Sequence, residues 1–309
     1  MSDAVNIWQQ PDADETIMIA GWRQWADAGS TSSMLPKYLI QQTNATKIGE
    51  IDADGFYMFQ IPGTHDLVRP IVQFHEGYPE KLEARKNELY HAKMGERDVI
   101  IFLGDEPHMN AELYAEALLD AAEQLKVTRI IGVAGVFAEV PFELERPVGC
   151  IISLRALRGE LRDYSVDLSN YGGGASIGSY LCRRASERKQ EYVGFYAFAP
   201  AYDFGRRSAN TTGFRVDNDF RAWLGLMRRI KHMADLTFDF ADLEEKTAEL
   251  ERSLQEKIEE MDAQYPDVGI RRYFEGLADN FEEDVFDPLS AVWEDEISRL
   301  LDEDDEATQ

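Results

Sequence analysis

The chain has 309 residues, 44% of them hydrophobic, and a formal net charge of −26. That charge argues against nucleic acid or an anionic membrane face as a partner, because both demand a basic surface. No apolar run approaches the roughly 18 to 20 residues needed to span a bilayer, and the acidic start MSDAVNIWQQPDADE is unlike a signal peptide, so a cytoplasmic protein is expected. The hydrophobic content can fill one large core, or a core plus an extension. Cys150 and Cys182 lie far apart with no C-x-x-C or Cys/His spacing, so both are expected to be buried thiols, with no disulfide framework, metal or cofactor.

From Glu15 to about residue 205 the chain alternates apolar runs with helix-period segments, the pattern of an α/β domain with a largely covered sheet. ETIMIAGW predicts a first strand and DAGSTSSMLPKYLIQQ a helix. KIGEIDADGFYMFQ then predicts two strands joined at Asp54-Gly55, a pair suited to a tight hairpin. DVIIFLG and TRIIGVAGV read as buried strands on either side of a helix, NAELYAEALLDAAEQLK, with Leu113, Ala117, Leu118, Ala121 and Leu125 on one face. CIISL and YVGFYAFA predict two further strands, the second preceded by a helix from about Ser176 to Lys189.

After about residue 215 the pattern turns helical. In VDNDFRAWLGLMRRIKHMADL, Asp217, Asn218 and Asp219 are candidate N-caps. ADLEEKTAELERSLQEKIEEMD aligns Leu243, Leu250, Leu254, Ile258 and Met261 in a stripe that needs a covering surface, either the chain's own core or a neighbouring subunit. Pro266 ends this helix, LSAVWEDEISRLL predicts another, and DEDDEATQ reads as a disordered tail. The acid is concentrated here: residues 241–309 hold 24 Asp and Glu against 6 Lys and Arg. The expected division is an α/β core over 1–235, an acidic helical extension over 236–302 and a tail over 303–309.

The stretch GASIG, Gly174 to Gly178, fits the G-x-S-x-G pattern of a nucleophilic serine at a strand-to-helix turn. The residues before it, DYSVDLSNYGG, form a polar loop rather than a buried strand. The one histidine that follows, His232, sits in an amphipathic segment, and nothing pairs His65, His75, His91 or His108 with Ser176. Ser176 is therefore expected not to be a nucleophile. A glycine-rich approach to a helix N-terminus leaves backbone N–H groups unpaired. They can bind an anion, be capped by Ser176, or reflect close packing; the P-loop lysine and the dinucleotide spacing are both missing. Arg183, Arg184 and Arg188, with Arg155, Arg158 and Arg162 before them, form a basic island expected to face acidic segments of the same assembly. FHEGYPE and GDEPHMN each place a histidine beside a carboxylate, and Trp22 and Trp25 follow the first strand as a possible aromatic patch.

Taken in order, WADAGS, FLGDEP with Tyr114 in the next helix, IIGVAGVFAEVP, YGGGASIG and a closing strand into APAYDF resemble the proteasome assembly chaperone 2 family over residues 15 to about 205. The length and helical C-terminal part resemble its prokaryotic branch. The resemblance implies an α/β fold with a central, largely parallel or mixed sheet flanked by helices, similar to the purine nucleoside phosphorylase architecture. It further implies self-association, often as a trimer, and a non-catalytic chaperone role with a proteasome-related or other protein partner. The chain ends Ala307-Thr308-Gln309, so the hydrophobic-Tyr-X tail by which some archaeal relatives dock on the proteasome is not carried over. A second reading is a small-molecule binder or a nucleoside-phosphorylase- or hydrolase-like enzyme using a pocket at the carboxyl ends of the strands. Its candidate residues are Trp25, Asp27, Gly29, Gly104, Asp105, Glu106, Gly172, Gly173, Gly174 and Ser176.

Overall fold

Each long apolar run becomes a strand in this computed structural model, which describes residues 4–23, 25–60, 69–204 and 213–286. The chain opens with β1 (Val5–Ile7) and β2 (Thr16–Arg23), followed by helix α1 (Thr31–Gln42) and strand β3 (Thr46–Ile51). Next come β4 (Ile71–His75), β5 (Tyr78–Glu83), β6 (Glu88–Met94) and β7 (Arg97–Asp105), then α2 (Ala111–Gln124) and β8 (Val127–Ala138). β9 (Val148–Ile152), β10 (Asp167–Leu168), α3 (Ile177–Arg188), β11 (Glu191–Tyr202) and β12 (Phe214–Arg215) complete the sheet region. α4 (Phe220–Ala234), α5 (Ala241–Gln264) and α6 (Ile270–Asp279) close it.

Among the described residues the main sheet has ten strands in the order β1-β3-β6-β7-β2-β8-β11-β9-β10, with β12 paired to β11. Its centre, β7-β2-β8-β11, is parallel. The pairings β6 to β7, β3 to β6 and β9 to β11 are antiparallel, so the sheet is mixed. Alternation along β2 sends Met18, Ala20 and Trp22 into a core with α2 and α3, while Ile19 joins α1 and α4 on the opposite face. The result is a helix-sheet-helix sandwich, the α/β architecture expected from the sequence.

Several local expectations are corrected. KIGEIDADGFYMFQ does not form a hairpin: β3 ends at Ile51, Gly55 makes the turn at φ 82°, and residues 56–60 are irregular. The reason is that β3 is already paired on both edges, by β1 and β6. Phe56 instead tucks under Tyr114, and its carbonyl accepts from the amides of His108 and Met109. Leu113 is 61% exposed, and Tyr114 takes the buried position on α2. The α5 stripe is covered by the chain itself. Leu243 enters the main core, and Leu254 and Ile258 join Ile270 and Phe274 of α6 against Phe142, Tyr202, Phe204 and Phe214, with Leu250 and Met261 at the margin. α6 was not expected; the helix expected through LSAVWEDEISRLL and the expected tail lie outside the described residues.

Candidate functional site

Parallel strands deliver their following loops to one edge of a sheet, and here those loops are tied together by a single carboxylate. β2 and β7 end in register, with Trp22 opposite Gly104 and Arg23 opposite Asp105. The loop after β2 then leans on β8, where Gly135 donates its N–H to Ala26 O at 2.9 Å. Only glycine permits this approach, because a Cβ on Gly135 would lie 2.0 Å from Ala28 O. Glu106, just beyond β7, bridges the loop segments. Its Oε2 accepts from Trp25 N at 3.2 Å and its Oε1 from Ile177 N at 2.8 Å. Burial raises the Glu106 carboxyl above the usual range, opposed by those two amide hydrogen bonds.

The N-terminus of α3 is therefore already occupied by a carboxyl group of the protein itself. Ser176 completes the closure as N-cap, its Oγ accepting from Ser179 N at 3.2 Å. That Oγ lies 3.5 Å from the Tyr196 hydroxyl, and no histidine side chain bonds to it among the described residues. Asp27 does the same for α1, with Oδ1 accepting from both Ser32 N and Ser33 N at 2.8 Å. Burial is the main cause of its raised carboxyl pKa.

Beside this knot runs a cleft of about 740 Å³ between α3 and the β8-β11-β9 face, within the size range of ligand pockets. Its walls are apolar and aromatic, chiefly Phe137, Ile151, Tyr171, Tyr196 and Phe198, with Arg183 on the α3 side. Of the candidate residues, Trp25, Asp27, Gly174 and Ser176 line it. Glu106 sits against an adjoining small pocket of about 10 Å³ shared with Trp22, Trp25 and Ser176.

The other candidates lie elsewhere. Asp105 is 3% exposed and turned the other way, accepting from Arg23 Nε at 2.6 Å and Arg85 Nη1 at 3.0 Å. Gly104 gives room to the Phe102 ring and the Tyr114 hydroxyl. Gly29, at φ 62°, packs on Asp219, and its carbonyl accepts from Asp219 N and Trp223 Nε1, both at 3.0 Å. Gly172 and Gly173 stand in the loop outside the cleft lining, and a Cβ on Gly172 or Gly174 would meet nothing within 4 Å. Nothing in the packing or the backbone angles explains why those two positions are glycine.

Sequence reasoning missed the aromatic walls. Their signal was the alternation Tyr192, Gly194, Tyr196, Phe198 in β11, which puts these residues on one face, three of them aromatic. The basic island divides. Arg184 and Arg188 bond Glu116 of α2 in the same chain, Arg188 also Asp120, whereas Arg183 is exposed and pairs with Glu187. Of the histidine-carboxylate pairs, His108 accepts from Met58 N at 3.0 Å and His75 lies in exposed β4, while an unforeseen pair joins His91 to Asp98 at 2.5 Å. Cys150 and Cys182 are free, buried thiols, pushed up to about 12 by burial. Among the described residues no group of three His, Cys, Asp or Glu could hold a metal, and no helix is long and apolar enough to cross a membrane.

Solved structures share this arrangement of strands and helices. A proteasome-assembly chaperone homologue from Mycobacterium tuberculosis is 22% identical, with a TM-score of 0.66 over 78% of this chain and 94% of its own. A PAC2 family protein from Streptomyces avermitilis is 20% identical, with a TM-score of 0.67 over 81% of this chain and 99% of its own. An archaeal proteasome activator from Pyrococcus furiosus is 20% identical, with a TM-score of 0.59 over 82% and 97%. A comparison with curated proteins gave no match. At these identities the likenesses establish the fold. The family rests on the sequence itself: the PAC2 family model matches residues 22–258, spanning the strand-end loops, the glycine turn and the helices up to α5, and the chain belongs to the PAC2 family.

Proposed function

We propose that the protein is a non-catalytic, self-associating interaction protein related in role to the proteasome assembly chaperones. The observation that carries this reading is the engagement of the strand-end polar groups. Glu106, Asp27 and Ser176, the side chains best placed for acid-base or nucleophilic work, each accept hydrogen bonds from main-chain amides and hold loops together. A catalytic base needs a free lone pair aimed at a reacting proton, and a nucleophile needs an adjacent base. Solved relatives described as a proteasome-assembly chaperone homologue and as a proteasome activator support the direction of the proposal. The test is size-exclusion chromatography of the purified protein with purified proteasome α subunits from its own organism. Co-elution, with the protein absent from the finished core particle, is the expected result. Separate elution at tens of micromolar of each component overturns the proteasome-related role.

The cleft of about 740 Å³ favours a second reading, a small-molecule binder, because its aromatic walls could hold an apolar ligand. Native mass spectrometry of the freshly purified protein checks this: a stoichiometric non-protein mass supports it, and a bare chain mass counts against it.

A further inference from the structure

The hairpin formed by β4 and β5 stands apart from the rest of the molecule. Every residue of both strands is exposed, and Ile71, Phe74, Tyr78 and Leu82 are each 59–72% exposed. Its two-residue turn, Glu76-Gly77, has φ of 48° and 83°, positive at both positions as the tightest hairpin connection requires. A lone two-stranded hairpin is marginal in water, and contiguous exposed apolar side chains mark an interaction surface. The hairpin is rooted at the strand-end side of the sheet, where Arg85 Nη1 and Lys86 N donate to the Asp105 carboxylate at 3.0 and 3.4 Å. The cleft opens at the same end but further across the sheet, beyond β2, and among the described residues no part of the hairpin lines it.

The two surfaces are complementary. The hairpin tip carries one aromatic ring on each face, since Tyr78 pairs with His75 and Phe74 with Pro79, on either side of an acidic turn with Glu76 at its apex and Glu80 beside it. The cleft offers apolar walls under two cations. Arg183 is exposed at its edge, and the Arg215 guanidinium lies 4.9 Å from the centre of the Phe137 ring that lines it. We propose that the Phe74–Tyr78 tip of one copy seats in the Phe137–Phe198 cleft of a second copy. The reading rests on the protein being self-associating, as proposed above, and specifies how. Such a contact is head-to-tail, since a surface meets a different surface on its neighbour. Repetition of it closes a ring when the rotation allows.

Light scattering on the full chain over a concentration series reads the outcome. The wild type is expected to run as an oligomer, and the tip variant Phe74→Ser/Tyr78→Ser as a single chain, with unchanged circular dichroism because both side chains are exposed. The cleft variant Phe137→Asp is expected to run as a single chain too. Arg183→Glu is the second cleft variant, on an exposed side chain, and should weaken association at least tenfold. Glu76→Arg should do the same, and Arg183→Glu with Glu76→Arg should regain most of the loss. Mixing the tip variant with a cleft variant leaves one intact tip and one intact cleft, so a one-to-one heterodimer that grows no further is expected. A wild type that stays monomeric at tens of micromolar, an oligomer that survives the tip substitutions, or a mixture that forms no heterodimer overturns the proposal. An anionic, aromatic dye, 1-anilinonaphthalene-8-sulfonate, should bind the wild-type assembly several-fold more weakly than the tip variant. Equal binding means the cleft is open to small molecules in the assembly and overturns the proposal as well. The proteasome α-subunit experiment can fail while the heterodimer forms, and the reverse, so the two readings fall separately.

Discussion

Ser176 shows how a sequence motif and a local environment can point to different chemistry. Its Oγ is the N-cap acceptor for α3, and among the described residues no base of the kind a nucleophile needs is bonded to it. Ser176→Ala should therefore cost about 1 kcal/mol of stability, the usual loss for a cap, measured by urea unfolding. A fluorophosphonate probe should leave the residue unlabelled, and stoichiometric labelling at Ser176 would refute the cap-only role. Glu106 gives a test with a sign. Burial raises its folded pKa above the unfolded value, so its contribution to stability is full below the usual glutamate range and is lost as pH rises through the raised folded value. Wild type should thus lose stability relative to Glu106→Gln across the pH window that opens at the usual glutamate value, about 4.3, and closes at the raised folded value. A stability difference that is flat across that window would show that Glu106 does not titrate as its burial requires. The cap on Ser176 was legible because caps are local, set by residues within one turn. The bridge made by Glu106 was not, because it joins residues 25, 106 and 177, and no spacing in the chain encodes that meeting.

At the scale of elements, long strands and amphipathic helices were readable and short elements were not. β2, β7, β8 and β11 announce themselves as apolar runs, whereas β10 and β12 have two residues each and exist because a neighbouring strand offers its edge. Leu113 was placed on the buried face of α2 by spacing alone, yet the wider Tyr114 ring, packed on Phe56, sets the helix rotation. α6 carried a readable stripe, Ile270, Tyr273, Phe274 and Leu277, and was overlooked beside Pro266. The start of α4 offers an energetic test. Asp219 was one of three candidate caps and is the one used, accepting from Ala222 N at 3.3 Å. It is also fully buried opposite Arg146, with Arg146 Nε to Oδ2 at 2.8 Å and side-chain exposures of 2% and 0%. Removing one partner of a buried pair leaves an uncompensated charge, so Asp219→Ala should cost about 3–5 kcal/mol. Asp219→Asn, which keeps an acceptor at the cap, should cost less. Equal losses in urea unfolding would assign the effect to packing rather than to the ion pair.

Over the whole molecule, the helical extension proposed from charge and periodicity shares a core with the sheet domain. The third apolar cluster takes Phe142, Tyr202, Phe204 and Phe214 from the sheet side and Leu254, Ile258, Ile270 and Phe274 from α5 and α6. Phe274 is its pivot, 6% exposed, edge-on to Tyr202 at 4.7 Å and to Phe142 at 5.7 Å between ring centres. A core is one cooperative unit when its loss exposes apolar surface on both sides, and here neither side can cover the cluster alone. Phe274→Ala should therefore destabilise by about 3–5 kcal/mol, as a truncated buried aromatic does. The loss should register identically in a probe of the extension and in a probe of the sheet. Calorimetry with a single peak moving to lower temperature is the expected outcome. Hydrogen exchange should agree: the amides of α5 and of β11 should lose protection together. Two separate calorimetric peaks, or exchange that speeds up in α5 and α6 while β11 keeps its wild-type protection, would mean that the extension unfolds as a body of its own, and the aromatic cluster would then be a docking contact rather than a shared core.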